Sequence, residues 1–140
     1  MMWAGPETTK AQGIKARTLE ASKLSLSEEV LPDGIQVIAA EGDLDVYTAP
    51  DLKAAALHNF PSVEGLVVDL LAVRFLDSTG ITALLDLKRR AKLRGVPLAV
   101  VCPPTDVWNR FTLQTVEQLL VFRETRDEAV AFVRGRALPV

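Results

Sequence analysis

Four consecutive residues, Asp77-Ser78-Thr79-Gly80, bring a carboxylate, two hydroxyls and a glycine together at one point of the chain. They lie where a loop leads into a helical pattern, and Asp, Ser and Thr are all preferred helix caps. No Glu or Gln follows three residues after any of the first three, so no capping box forms. Gly80 falls in the first helical turn, where glycine costs roughly 0.5–1 kcal/mol relative to alanine. The segment is therefore a helix start at which another backbone or a partner must come close.

A second polar segment, Gly42-Asp43-Leu44-Asp45, follows a β-branched run and precedes another helical pattern. Its paired carboxylates are compatible with a polar turn, a cation site or acid–base catalysis. A small phosphotransfer or hydrolytic enzyme built on Asp43, Asp45 and Ser78 is poorly supported. The chain has no glycine-rich phosphate loop, and its only histidine, His58, lies late in a predicted helix. If the two polar segments end neighbouring strands, they share one edge of a sheet.

Other candidate residues point to little chemistry. Asp69 ends an apolar strand, as the phosphoacceptor of a response-regulator receiver does, but the acidic pair expected early in such a domain is missing. Cys102 is the only cysteine and ends a buried strand, so we expect a small core residue. One cysteine and one histidine exclude a disulfide and most metal sites. We predict neither a metal nor a cofactor.

Composition limits the class of protein. A chain of 140 residues fits one domain, and 49% hydrophobic with 24% charged residues is typical of a globular protein. A formal net charge of −2 gives no reason to expect nucleic-acid binding. The apolar runs are too short to cross a bilayer, and the first residues lack the basic start and apolar stretch of a secretory signal. We therefore expect a cytoplasmic protein that binds neither nucleic acid nor membranes.

The elements that position these motifs follow from the hydrophobic pattern. Residues 1–21 are polar and aperiodic and predict a flexible tail, which leaves 22–140 as the folded domain. Turn residues Leu31-Pro32-Asp33-Gly34 predict a hairpin. Beyond it, strands alternate with helices, which favours one mixed sheet with helices packed on it. The predicted elements are a helix capped by Thr48, a strand over Leu66–Leu70 followed by a loop, a helix from Asp77 or Ser78 to about Arg94 ended by Gly95, a strand over Pro97–Cys102, a helix from Thr105 or Asp106, a strand over Leu120–Phe122, and a helix capped by Thr125.

The motifs taken together resemble the STAS domain of anti-sigma factor antagonists. The resemblance covers about Leu24 to Val133, and its most specific part is the run from Val67 to Gly80. The motifs that carry it are Gly42-Asp43-Leu44-Asp45, Thr48-Ala49-Pro50-Asp51-Leu52, Val67-Val68-Asp69-Leu70 and Phe75-Leu76-Asp77-Ser78-Thr79-Gly80. The fold it implies is an α/β single domain, with a mixed sheet of four to five strands flanked by helices.

The function implied by the resemblance is partner switching. The unphosphorylated protein would bind an anti-sigma factor that is itself a serine kinase, and so release a sigma factor. Phosphorylation of Ser78 would end that association, and a phosphatase acting on phospho-Ser78 would restore it. In this scheme Asp77, Thr79 and Gly80 form the docking loop beside Ser78, and Asp43 is its acidic neighbour. Thr79 is a less favoured acceptor in the same loop.

One alternative within the same fold is a free-standing STAS regulatory subunit of a stress-signalling or transport complex. In either case a phosphate on Ser78 would carry about −1.5 to −2 charges next to a helix N-terminus, where the dipole favours it. We therefore expect phosphorylation to leave the helix intact and to act on the binding surface.

Overall fold

The sheet begins with the predicted hairpin. The structure is a computed structural model that describes residues 24–58, 62–102 and 119–137. Strand β1 (Leu24–Val30) and strand β2 (Ile35–Leu44) pair antiparallel across the predicted turn, with Leu24 opposite Gly42 and Val30 opposite Gln36. The hairpin prediction is confirmed.

Three more strands extend the sheet from the other side of β2. They are β3 (Gly65–Leu76), β4 (Leu98–Val101) and β5 (Phe122–Arg123), in the spatial order β1-β2-β3-β4-β5. Strands β2 to β5 run parallel, so only the hairpin is antiparallel. The α/β fold with a mixed sheet is therefore confirmed, at the upper end of the predicted strand number.

Helices cover both faces of this sheet in the described part of the chain. Alternation along β2 sends Ile38 and Ala40 into a core with α1 (Ala49–His58) and α2 (Ser78–Leu93). The opposite face carries Ile35 and Val37, which pack in a smaller core with α3 (Arg126–Ala137). The larger core holds α2, and hence Ser78, at a defined place on the sheet.

Strand β3 is longer than its sequence pattern predicts. The prediction of a loop after Leu70 is wrong, since β3 continues to Leu76 and pairs with the second half of β2. Its register slips twice, because Glu41 pairs with Ala72 and Asp43 with Phe75 after one extra β3 residue at each step. Beyond Leu70 the buried residues of β3 are Val73 and Leu76, three positions apart, so the two-residue alternation of an ordinary strand is lost. The extension carries β3 to the same point as the end of β2.

Most of the predicted element ends agree with the structure. Asp77 is the N-cap of α2, and the helix ends just before Arg94 and Gly95, whose φ of 71° suits glycine. The hydroxyl of Thr125 accepts the N–H of Glu128 at 3.1 Å at the start of α3. Strand β5 lies slightly later than predicted, at Phe122–Arg123. The predicted tail of residues 1–21 and the predicted helix from Thr105 or Asp106 lie outside the described residues.

Candidate functional site

The start of α2 is fixed to the end of β2 by Asp77. Its Oδ1 accepts the N–H groups of Thr79 at 2.9 Å and of Gly80 at 3.1 Å, which satisfies two donors that the helix leaves without partners. Its own N–H donates to the carbonyl of Leu44 at 3.3 Å. Asp77 therefore acts first as a positioning residue, because its carboxylate is already engaged by the helix.

Gly80 is a glycine because a strand end lies against it. A Cβ atom at this position would lie 2.6 Å from Cδ1 of Leu76 and 2.9 Å from the carbonyl oxygen of Leu44. Of the two explanations open from the sequence, the neighbouring backbone accounts for the glycine. Gly80 is buried, so it sets the approach of α2 to the sheet from inside the fold.

The two hydroxyl residues of the motif differ in exposure. Ser78 is exposed at the first position of α2, whereas Thr79 is half-buried. The next turn adds a third hydroxyl, since Thr82 is exposed and its Oγ1 donates to the carbonyl of Ser78 at 2.9 Å. Ser78 is thus the more accessible hydroxyl of the motif.

The second polar segment forms a closed turn between β2 and α1. Oδ1 of Asp45 accepts the N–H groups of Tyr47 at 2.9 Å and Thr48 at 3.2 Å. The hydroxyl of Thr48 accepts the N–H of Asp45 at 2.9 Å and donates to the carbonyl of Asp43 at 2.8 Å. Thr48 directly precedes α1, as predicted, but its hydroxyl bonds backwards into the turn. Asp45 is therefore occupied by backbone groups.

Asp43 has a different environment from Asp45. Its side chain is 21% exposed, and its Oδ1 lies 3.9 Å from Nη2 of Arg74 on β3. Leu44, the next residue, pairs with Leu76 in the sheet and accepts the N–H of Asp77. The two polar segments therefore meet at one edge of the sheet, as the sequence predicts. In the described ranges no group of three or more His, Cys, Asp or Glu side chains could hold a metal ion.

Apolar side chains beside this edge are exposed to solvent. Tyr47 is 82% exposed and Val46 53% exposed in the turn, and Phe75 is 43% exposed near the end of β3. Exposed large apolar groups at one place are typical of a surface that binds another protein. Sequence reasoning missed them, although two apolar residues between Asp45 and Thr48 are an unusual choice for a polar turn. We call Asp43, Val46, Tyr47, Phe75 and Ser78 the switch surface.

The remaining candidate residues have structural environments. Asp69 is buried, accepts the N–H of Leu71 at 2.9 Å, and bonds Arg126 of α3 at 2.8 and 3.0 Å. Burial raises the pKa of the Cys102 thiol to about 12, so this thiol stays protonated. His58 is exposed at the last position of α1. None of the three lies in the switch surface.

A cluster of charges joins the two helices on this face. Asp86 of α2 lies within 3.0 Å of cationic nitrogens on one residue of α1 and two of α2, which are Lys53, Arg89 and Arg90. Hydrogen bonds from these groups, that from Lys53 first, hold the pKa of Asp86 well below its usual range. The cluster fixes α1 against α2, and its α2 residues lie on the third and fourth turns of the helix that begins at Ser78.

The fold and these motifs define a STAS domain. The family model described as "STAS domain" matches residues 28–129, which is well over half of the chain. The protein therefore belongs to the STAS-domain family. No helix in the described part of the chain has the length and apolarity needed to span a membrane.

Solved structures with this fold include several anti-sigma factor antagonists. An anti-sigma factor antagonist from Mycobacterium paratuberculosis is 29% identical, with 79% of this chain and 94% of that chain covered and a TM-score of 0.67. A variant of RsbS from Moorella thermoacetica is 22% identical, with coverage of 80% and 97% and a TM-score of 0.68. The Bacillus cell fate determinant SpoIIAA in its phosphorylated form is 19% identical, with coverage of 78% and 99% and a TM-score of 0.61. The last two likenesses concern the fold alone.

Proposed function

We propose that this protein is an anti-sigma factor antagonist whose unphosphorylated form binds an anti-sigma factor and releases a sigma factor. The observation that carries the proposal is the exposed Ser78 at the N-terminus of α2, next to the exposed apolar side chains of the switch surface. The 29% identical structure, which is named as an anti-sigma factor antagonist, supports the same role. Such a protein is a binding protein of the cytoplasm and performs no catalysis of its own.

Ser78 is the phosphoacceptor in this proposal, and the anti-sigma factor is the serine kinase that modifies it. Exposure favours Ser78 over Thr79, since a kinase must reach the hydroxyl and Thr79 is half-buried. A phosphatase acting on phospho-Ser78 restores the binding form. SpoIIAA, which shares the fold, has a structure in a phosphorylated form.

Electrostatics favours a switch at the surface over a switch in the fold. A phosphate on Ser78 would lie at the N-terminus of a 16-residue helix, where the helix dipole stabilises negative charge. The core side chains of α2 are buried away from Ser78 and would be unaffected. A partner packed on Tyr47 and Phe75 would have to desolvate the added charge, and each ~1.4 kcal/mol of that penalty weakens binding tenfold.

Phosphosite mapping tests the assignment of Ser78. The protein is incubated with ATP and each candidate anti-sigma factor kinase of the same organism, and the modified residue is located by mass spectrometry. We expect one phosphate on Ser78, lost in Ser78→Ala and retained in Thr82→Ala, which removes a neighbouring exposed hydroxyl. Phosphate on Thr79 in the unaltered protein would reassign the acceptor. No phosphate with any such kinase would favour the free-standing STAS subunit.

A further inference from the structure

Arg74 occupies an irregular position close to Ser78. Gly42 pairs with Val73 and Asp43 with Phe75, so Arg74 is an extra β3 residue with no opposite residue on β2. Bulges of this kind turn a side chain in a new direction and are frequent beside functional sites. Here the bulge directs a guanidinium towards the carboxylate of Asp43.

The pair between Arg74 and Asp43 is loose. The closest nitrogen–oxygen distance is 3.9 Å, and the side chain of Arg74 is 75% exposed. A pair this long, with one partner largely exposed to solvent, adds little to stability. The fold therefore does not require Arg74 to stay on Asp43, and its guanidinium is available to a stronger anion nearby.

Ser78 follows Arg74 closely along the chain. Three residues separate Arg74 from Ser78, so their Cα atoms are at most about 14 Å apart. The chain between them stays beside β2, because Leu76 pairs with Leu44 and the N–H of Asp77 bonds the carbonyl of Leu44, the residue after Asp43. Gly80 packs against the same carbonyl. Arg74 and Ser78 are thus both held at the end of β2.

We propose that Arg74 is the counter-ion of the phosphate on Ser78. In the unphosphorylated protein Arg74 pairs with Asp43, and after phosphorylation it pairs with the phosphate instead. A phosphate accepts the planar guanidinium through two parallel hydrogen bonds and carries more charge than a carboxylate. The exchange leaves Asp43 without its cation, so one modification changes two places on the switch surface. This inference rests on the proposed function, which makes Ser78 the acceptor.

The phosphate's own titration reports this contact. Asp43, Asp45 and Asp77 lie at the same edge and raise the pKa of a phosphate on Ser78, whereas Arg74 lowers it. Phosphoserine is installed at position 78 by genetic encoding, and its second pKa is measured by ³¹P NMR at low salt. All variants keep the three carboxylates, so a difference between them reports the cation alone.

We expect Arg74→Gln to raise the phosphoserine pKa by about 0.7 of a pH unit, the shift that one unit charge about 4 Å away produces in water. The matched control is Lys92→Gln, which removes one exposed cation near the other end of α2 and should leave the pKa unchanged. An unchanged pKa in Arg74→Gln overturns the inference. So does an equal shift in both variants, which would show a general charge effect.

Failure of this inference can be told from failure of the proposed function. Genetic encoding needs no kinase, so the titration gives its result even if no kinase modifies Ser78. Phosphosite mapping tests the acceptor without reference to Arg74. If the phosphoserine pKa shifts in Arg74→Gln but no kinase phosphorylates Ser78, the contact with Arg74 is retained and the proposed function is rejected.

Discussion

Replacing Gly80 by alanine tests the packing that places Ser78 at the edge of the sheet. The new methyl group would lie 2.6 Å from Cδ1 of Leu76 and 2.9 Å from the carbonyl oxygen of Leu44. The leucine side chain can rotate away, but the carbonyl is backbone and already accepts the N–H of Asp77. The first turn of α2 must therefore move away from β2.

The net cost follows from two opposing effects. Overpacking of this kind typically destabilises a protein by about 1–3 kcal/mol. Alanine recovers up to about 1 kcal/mol through its better helix propensity. We therefore expect Gly80→Ala to lower the free energy of unfolding by about 1–2 kcal/mol. Phosphorylation of Ser78 should also slow, because the first turn that presents it has shifted.

Gly135→Ala is the matched control for this experiment. Gly135 also lies in a helix, α3, but nothing lies within 4 Å of a Cβ placed there. The propensity gain is then unopposed, and we expect a stabilisation of roughly 0.5–1 kcal/mol. Urea unfolding with a common m-value gives both numbers. If Gly80→Ala proves as stable as the unaltered protein, the close approach of β2 does not explain the glycine.

Three further predictions concern other parts of the site and the core. Asp77→Ala removes the acceptor of two backbone N–H groups and should cost about 0.5–2 kcal/mol in urea unfolding, while Asp77→Asn keeps most of the cap and should cost less. Because burial raises the pKa of Cys102 to about 12, this thiol should not react with iodoacetamide at pH 9 until the protein unfolds; rapid labelling of the folded protein would contradict its burial. The pKa of Asp86 is depressed, so the stability it contributes is present above its unfolded pKa of about 3.9 and is lost as the pH falls towards the lower folded value. Asp86→Asn should therefore destabilise the protein at pH 7 and flatten its loss of stability in acid, which thermal unfolding from pH 2 to pH 7 measures.

Local signals in the sequence were sufficient to predict the start of α2. A cap such as Asp77 acts on N–H groups two and three residues away, so its effect is visible in consecutive residues. The reason for Gly80 is different in kind, since Leu44 approaches it from a strand far away in sequence. The sequence could show that something comes close to Gly80 but could not show what.

The full length of β3 could not be predicted, because its second half has a neighbour on one side only among the described strands. Residues Ala72 to Leu76 pair with β2, whereas the pairing with β4 ends at Asp69 opposite Val101. Such a half-strand mixes exposed and buried side chains around its bulges and shows no clean period. The bulge at Arg74 could not be predicted for the same reason.

Exposed apolar residues and long-range ion pairs were also beyond the sequence pattern. The sequence places Tyr47 in a turn but does not show that its side chain is 82% exposed. In the sequence Asp69 is only a carboxylate at the end of a predicted strand. The structure shows its hydrogen bond of 2.8 Å to Arg126, 57 residues later in the chain. Both features depend on how distant elements pack, which periodicity does not encode.

The affinity of the anti-sigma factor for each phosphorylation state tests the central claim most directly. Unmodified protein and protein with encoded phosphoserine at position 78 are titrated by calorimetry into the anti-sigma factor that binds the unmodified form, and circular dichroism is recorded for both. The account predicts tight binding of the unmodified form, at least tenfold weaker binding of the phosphorylated form, and identical helix content. Equal affinities, or a loss of helix that accompanies weaker binding, would contradict a switch located on the surface around Ser78.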